Sequence, residues 1–195
     1  MPSALIFDCD GTLTDSMPLH YLGWKRTMEA HGIHFDEDRF YALGGVPSDK
    51  IVALLAAEAG LTLDAREVAR LKEEAFLELM HLLEPIEAVV RVARENRGVK
   101  KMAVASGGFR HIIEAQLKRI GCLDWFDTLV AAEDTTKHKP EPDVFLEAAR
   151  RLNVPPAECV VYEDSDLGIE AAKRAGMEWI DVRAFHTPKR WTVKA

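Results

Sequence analysis

The chain has 195 residues, of which 48% are hydrophobic and 29% charged, with 12 glycines and 9 prolines. That composition excludes a disordered or low-complexity chain. The length is that of one domain, or one core with a modest insertion, able to bury a sizeable core without disulfides. The 25 basic residues against 32 acidic ones give a net charge of −7, a poor balance for binding a polyanion such as nucleic acid.

At the N-terminus a very short apolar run is followed at once by acids, which is no signal peptide. No apolar stretch is long enough to span a bilayer, so a cytoplasmic location without membrane partners is expected. Residues 4–8 read as a buried strand that ends at Asp8 and enters a loop at Gly11. Residues 17–82 are then nearly all helical. Pro18 opens one helix that runs to Gly32. Ser48 is placed to cap a second, which carries Ile51, Leu54 and Leu55 and stops at Gly60. Asp64 with Glu67 makes a capping-box-like start to a third, with Val68, Leu71, Phe76 and Leu79.

Further apolar runs at residues 102–106, 128–132, 159–162 and 179–182 suit strands covered on both faces. Helical patterns at 109–120, 142–152 and 166–175 separate them. The first carries Ile112, Ile113, Leu117 and Ile120 and stops at Gly121; the second has proline in its first turn; the third ends at Gly176. Strands alternating with helices predict an α/β fold with a Rossmann-like parallel sheet, its strand C-termini at one edge. The helical block after strand one predicts an inserted cap: core 1–15 and 83–195, cap 16–82. Cys9, Cys122 and Cys159 are scattered, with neither a CxxC pair nor Cys/His metal spacing. A zinc module is therefore not expected, and the odd number suits a reducing compartment.

The segment from Asp8 to Asp15 is the most informative. Asp8 and Asp10 sit two apart at a strand end, so strand alternation points both to the same side. Gly11 permits a sharp turn. Two close carboxylates call for a shared proton or a cation, and a hard ion such as Mg²⁺ prefers such oxygens. Ser106-Gly107-Gly108 before a helix makes an anion-binding turn or an ordinary strand-to-helix loop. Glu163 and Asp164 follow an apolar run and fall at another strand end. Lys137, His138 and Lys139 run together, and only Lys139 precedes Pro140-x-Pro142.

Four motifs in this order resemble the haloacid dehalogenase superfamily in its phosphatase branch: Asp8-x-Asp10-Gly11-Thr12-Leu13-x-Asp15, Ser106, Lys139-Pro140, and Glu163-Asp164-Ser165 followed by Gly168. Within it the chain looks like the β-phosphoglucomutase and sugar-phosphatase group, and especially like its fructose-1-phosphatase-like members. The resemblance implies Asp8 as nucleophile forming an aspartyl-phosphate, and Asp10 as general acid and then base. It implies Mg²⁺ held by Asp8, the Asp10 carbonyl and Asp164, with Glu163 either ligating or in the surrounding shell. Ser106 with the Gly107 and Gly108 amides would bind phosphate, and Lys139 would neutralise Asp8 and the phosphoryl group. Asp15 and Ser16 would support the turn and the hinge to the cap.

In the cap, which is expected to close over the phosphate, His20 and Trp24 share a helix face. His20 matches a histidine of the mutases or is a helix-surface residue. Lys72 matches a substrate-contacting lysine or is an exposed helix charge. The mutases carry an arginine for the distal phosphate roughly where Ser48 stands. Lys50 would replace it without arginine's bidentate fork, which favours hydrolysis over a phosphohexomutase reaction. A non-catalytic phosphometabolite-binding protein is the rival of another class. The expected partner is a phosphorylated small molecule, not nucleic acid, for which only the short basic tail at 186–194 speaks. A monomer or weak dimer is expected.

Overall fold

Five strands form one parallel sheet: β1 (Ala4–Phe7), β2 (Lys101–Ala105), β3 (Thr128–Val130), β4 (Cys159–Glu163) and β5 (Glu178–Asp181). Their spatial order is β3-β2-β1-β4-β5. The computed structural model describes residues 2–191. All four residues of β1 are buried, because the strand is central and helices cover both faces; this is why its sequence is an unbroken apolar run. Strand alternation divides it. Leu5 and Phe7 face Val89, Val90 and Ala93 of α5 (Glu87–Asn96) and Ile113 and Leu117 of α6 (Arg110–Arg119). Ala4 and Ile6 face Phe145, Ala148 and Leu152 of α7 (Asp143–Leu152) and Ala171 and Ala172 of α8 (Asp166–Arg174).

The chain leaves β1 for β2 and β3 on one side, then crosses to β4 and β5 on the other. A crevice forms outside the carboxyl ends of strands where the order reverses. Here that point lies between β1 and β4, which pair in register with Phe7 opposite Tyr162.

Residues Met17–Leu82, with residues 189–191, make a second compact unit. It contains α1 (Met17–Ala30), α2 (Glu37–Ala42), α3 (Ser48–Glu58) and α4 (Ala65–Glu78). It has its own core, built on Trp24, Met28, Phe35, Phe40, Ile51, Leu55 and Val68. Helices α1 and α4 approach closely at Gly23, where a Cβ would come within 3.3 Å of the Lys72 carbonyl and the Phe76 amide. Asp64 caps α4 by accepting from the amides of Arg66 and Glu67.

Two expectations are corrected. Ser48 does not cap α3: Pro47 holds the cap position, and the Ser48 hydroxyl instead donates to Glu73 Oε1 at 3.3 Å. The last strand is not covered on both faces. β5 is a sheet edge, with Trp179 44% and Ile180 36% exposed. In the short basic tail, the described residues 189–191 are exposed. Arg190 pairs with Asp38 at 3.2 Å and the Trp191 amide donates to Glu37; residues 192–194 lie outside the described residues. Among the described residues, no helix is long and apolar enough to cross a membrane.

Candidate active site

Every core residue singled out by motif lies at or just beyond the C-terminal end of a strand or in the loop that follows it. Asp8 follows β1, Ser106 follows β2, and Glu163 ends β4 with Asp164 next to it. Lys139 arrives from the loop between β3 and α7. Of the basic run only Lys139 has a buried side chain, 7% exposed, while Lys137 and His138 are exposed. Its Nζ donates to Asp8 Oδ1 and to Glu163 Oε2, both at 2.7 Å, and lies 5.0 Å from the Phe145 ring centre.

The remaining oxygen of Glu163, Oε1, accepts from the Ser165 hydroxyl at 2.7 Å and from the Ser165 amide at 3.0 Å. Ser165 also caps α8 through the Gly168 amide. Gly168 is required for this: a Cβ there would stand 2.0 Å from the Glu163 carboxyl carbon. Gly11 meets a similar demand. Its φ is +76°, which L side chains rarely adopt, and a Cβ would fall 2.2 Å from Asp164 Oδ2. Thr12 donates to Asp164 Oδ1 at 3.2 Å.

Asp8, Glu163 and Asp164 each offer an oxygen, all within 4.8 Å of one another. Burial is the chief cause of the electrostatic stress on Asp8 and Asp164. It pushes the Asp8 carboxyl up to about 7, with Lys139 pulling it down and Glu163 adding to the rise. Burial, then Glu163 and Asp8, hold Asp164 well above the usual carboxylate range. Burial alone would lower Lys139, but Asp8 and Glu163 outweigh it and raise the ammonium above its ordinary value. Three carboxylates thus face one cation, and the donors are hard oxygens. Such a set fits a divalent ion like Mg²⁺.

Asp10 is held from another direction. Its Oδ1 accepts from Ser16 Oγ at 2.6 Å and from Gln116 Nε2 at 2.8 Å. Ser106 is buried, and its Oγ accepts from the Gly108 amide at 3.1 Å. A Cβ on Gly108 would stand 3.5 Å from both Ser106 Oγ and Asp10 Oδ2, so both polar atoms lie by the side-chain-free face of this glycine.

The remaining candidates belong to the helical unit. His20 is buried, not a surface histidine; its ring stacks on Phe76 with centres 3.8 Å apart. Lys72 is likewise buried, 3% exposed, with Nζ 2.8 Å from His20 Nδ1 and 3.1 Å from Glu73 Oε1. Trp24, one turn on from His20, lies 5.5 Å from that ammonium. Ser48 joins the group through Glu73. Lys50 is exposed on α3.

Motif reading missed several supporting residues. Thr12 and Ser165 lie inside the motifs, and their hydroxyls were the only sign of a role. Gln116 carried a stronger signal, as a polar residue on the apolar stripe of its helix. Glu73 carried none, since a Glu beside a Lys on a helix is usually solvated.

A doubly wound parallel sheet with an Asp-x-Asp loop, a serine, a lysine and an acidic pair along one edge defines the haloacid dehalogenase class of fold. The chain belongs to the haloacid dehalogenase-like hydrolase family, whose model matches residues 2–176. It is 40% identical over 182 residues to the fructose-1-phosphate phosphatase YqaB of Escherichia coli, covering 93% of this chain and 96% of that protein. It is 33% identical to the beta-phosphoglucomutase of Bacillus subtilis, covering 89% of this chain and 80% of that one. Among solved structures, CbbY from Rhodobacter sphaeroides in complex with phosphate superposes with a TM-score of 0.83 at 28% identity, over 92% of this chain and 85% of that one.

Proposed function

We propose that the protein is a Mg²⁺-dependent phosphatase that hydrolyses a small phosphorylated sugar through an aspartyl-phosphate, with fructose 1-phosphate as the first candidate substrate. The observation that carries this reading is the buried Asp8–Lys139 pair at 2.7 Å beside Glu163 and Asp164. Asp8, Asp164 and the main-chain carbonyl of Asp10 would hold the ion. Both oxygens of Glu163 are engaged by Lys139 and Ser165, which suits it to orienting the cluster from behind. A bound Mg²⁺ neutralises charge and polarises the phosphoryl oxygens, so that an anionic carboxylate can approach an anionic ester.

In the first step an Asp8 carboxylate oxygen attacks phosphorus and the bond from phosphorus to the ester oxygen breaks. Asp10 gives its proton to the departing sugar oxygen. In the second step water attacks the same phosphorus, Asp10 takes the water's proton, and the bond to Asp8 breaks to release inorganic phosphate. Ser106, whose oxygen accepts from Gly108, turns its own proton to a phosphate oxygen, and Lys139 counters the charge on the transferring group. The Gly107 and Gly108 turn leaves room for that group.

His20 and Lys72 serve the sugar end. Ser48 stands roughly where the mutases carry arginine, and it is bonded to the Glu73 carboxylate. A serine there lacks the bidentate guanidinium that would hold a second phosphate, which supports hydrolysis of a monophosphate over a mutase reaction. The β-phosphoglucomutase relative keeps phosphohexomutase as the second reading. A coupled assay with a hexose 1-phosphate and a bisphosphate activator separates the two. The three thiols are free and buried, which suits a reducing compartment.

The test is a phosphate-release screen over phosphorylated sugars and polyols with Mg²⁺. Release that depends on the ion and is lost in Asp8→Asn supports the proposal. Release unchanged in Asp8→Asn, or undiminished in excess EDTA, overturns it. Specific binding of the sugar phosphate without any release would favour the non-catalytic alternative.

A further inference from the structure

We infer that Gln116 is a positioning residue that orients the Asp10 carboxylate for proton transfer. The inward face of α6 is apolar at Ile112, Ile113 and Leu117, all buried, yet Gln116 is placed among them and is fully buried too. An amide buried without hydrogen bonds is costly, so a glutamine on this face has a use for its polar atoms. Its two ends are distinguished. Oε1 accepts from Thr14 Oγ1 at 2.6 Å, and Nε2 donates to Asp10 Oδ1 at 2.8 Å. Thr14 Oγ1 also lies 3.1 Å from the Cys9 carbonyl, so it is the Asp10 carboxylate, which only accepts, that sets which way the amide faces. Were it turned over, an oxygen would meet the Asp10 carboxylate.

The consequence falls on Asp10. Oδ1 accepts from both Gln116 and Ser16, which occupies the two lone pairs of that oxygen. When Asp10 carries a proton, the proton is directed to Oδ2. That atom lies on the side of Gly108 and Ser106, because a Cβ on Gly108 would be 3.5 Å from Oδ2 and from Ser106 Oγ alike. The loop after β2 and the helix that follows it thus contribute twice, through the Ser106 turn and through Gln116 two turns further on. Gln116 touches no reacting atom and acts through Asp10.

This inference rests on the proposed role of Asp10 as acid and base, and the experiment separates the two. Alcohol release is measured in single turnovers of the Mg²⁺-loaded protein with fructose 1-phosphate and with p-nitrophenyl phosphate. A sugar alkoxide needs a proton to leave, whereas p-nitrophenolate does not. The variants are Asp10→Asn, Gln116→Met, which keeps the volume, and Thr14→Val, which removes the second partner of the amide. General acids contribute on the order of 100-fold or more. Asp10→Asn and Gln116→Met are expected to slow sugar release by roughly tenfold or more while p-nitrophenolate release changes by less than about threefold, and Thr14→Val to show a smaller split of the same sign. Equal losses on both substrates in Gln116→Met and Thr14→Val, or no loss in either, with the split intact in Asp10→Asn, overturn the role of Gln116 alone. Absence of the split in Asp10→Asn overturns the reading of Asp10, and the role of Gln116 with it.

Discussion

Lys139 Nζ lies 2.7 Å from Asp8 Oδ1, joining residues 131 apart in the chain inside a site where both side chains are 7% exposed. Removing one partner of a buried ion pair leaves an uncompensated charge. Lys139→Met is therefore expected to lose roughly 3–5 kcal/mol of stability in EDTA and nearly all turnover. Mg²⁺ should recover part of the stability, because it offsets the same carboxylates. Urea unfolding with and without the ion reads both effects; a variant as stable as the parent in EDTA would contradict the pairing.

Gly168 gives a second, steric test. The Cβ of Gly168→Ala would overlap the Glu163 carboxylate, which must then move away from Lys139 and Ser165. Overpacking of this kind costs roughly 1–3 kcal/mol, and turnover should fall with it, although position 168 bears no reactive group. Gly107→Ala serves as the control, since a Cβ there meets nothing within 4 Å; it should keep its thermal midpoint.

The pH dependence follows from Asp8, pushed up to about 7 chiefly by burial. Between its ordinary value of 3.8 and about 7, the metal-free folded protein keeps a proton that the unfolded chain has released. The unfolded state binds fewer protons there, so this group costs stability as pH rises through that window. In EDTA, Asp8→Asn, which mimics the protonated acid, should gain stability relative to the parent over the same interval. The ion must displace the same proton, so apparent Mg²⁺ affinity should tighten as pH rises through that window. Thermal melts and Mg²⁺ titrations at several pH values check the two signs; an affinity that weakens with rising pH would contradict them.

Lys72 sits buried between His20 and Glu73. With Lys72 holding the sugar, Lys72→Met should cut kcat/KM for the sugar phosphate by roughly 10- to 100-fold, the worth of a charged hydrogen bond, and leave p-nitrophenyl phosphate hydrolysis nearly intact. Equal losses on the two substrates would assign the lysine to stability alone.

Much of this was legible in the sequence, for physical reasons. β1 and β4 are covered on both faces, so they read as apolar runs, and the acids that end them stood out against those runs. β5 read the same way but is an edge, because Trp179 and Ile180 are exposed apolar residues that periodicity does not separate from buried ones. Helix α5 was not anticipated; its buried stripe is only Val89, Val90 and Ala93 amid charged neighbours. The burial of His20 and Lys72 was hidden for the opposite reason. Both are residue types that usually face water, and it is the close approach of α1 to α4 at Gly23 that encloses them. The network around Asp10 depends on contacts such as Gln116 to Asp10, 106 residues apart, which no local pattern encodes.

The most direct test of the central claim, that Asp8 accepts the phosphoryl group, is chemical trapping during turnover. The Mg²⁺-loaded protein is mixed with substrate, quenched in acid within its first turnover, reduced with borohydride and mapped by tandem mass spectrometry. Homoserine at position 8 is the predicted product, since borohydride reduces an acyl phosphate but leaves a free carboxylate. Unmodified Asp8 in a sample whose burst of released alcohol equals the enzyme present, or homoserine at another position, would contradict the account.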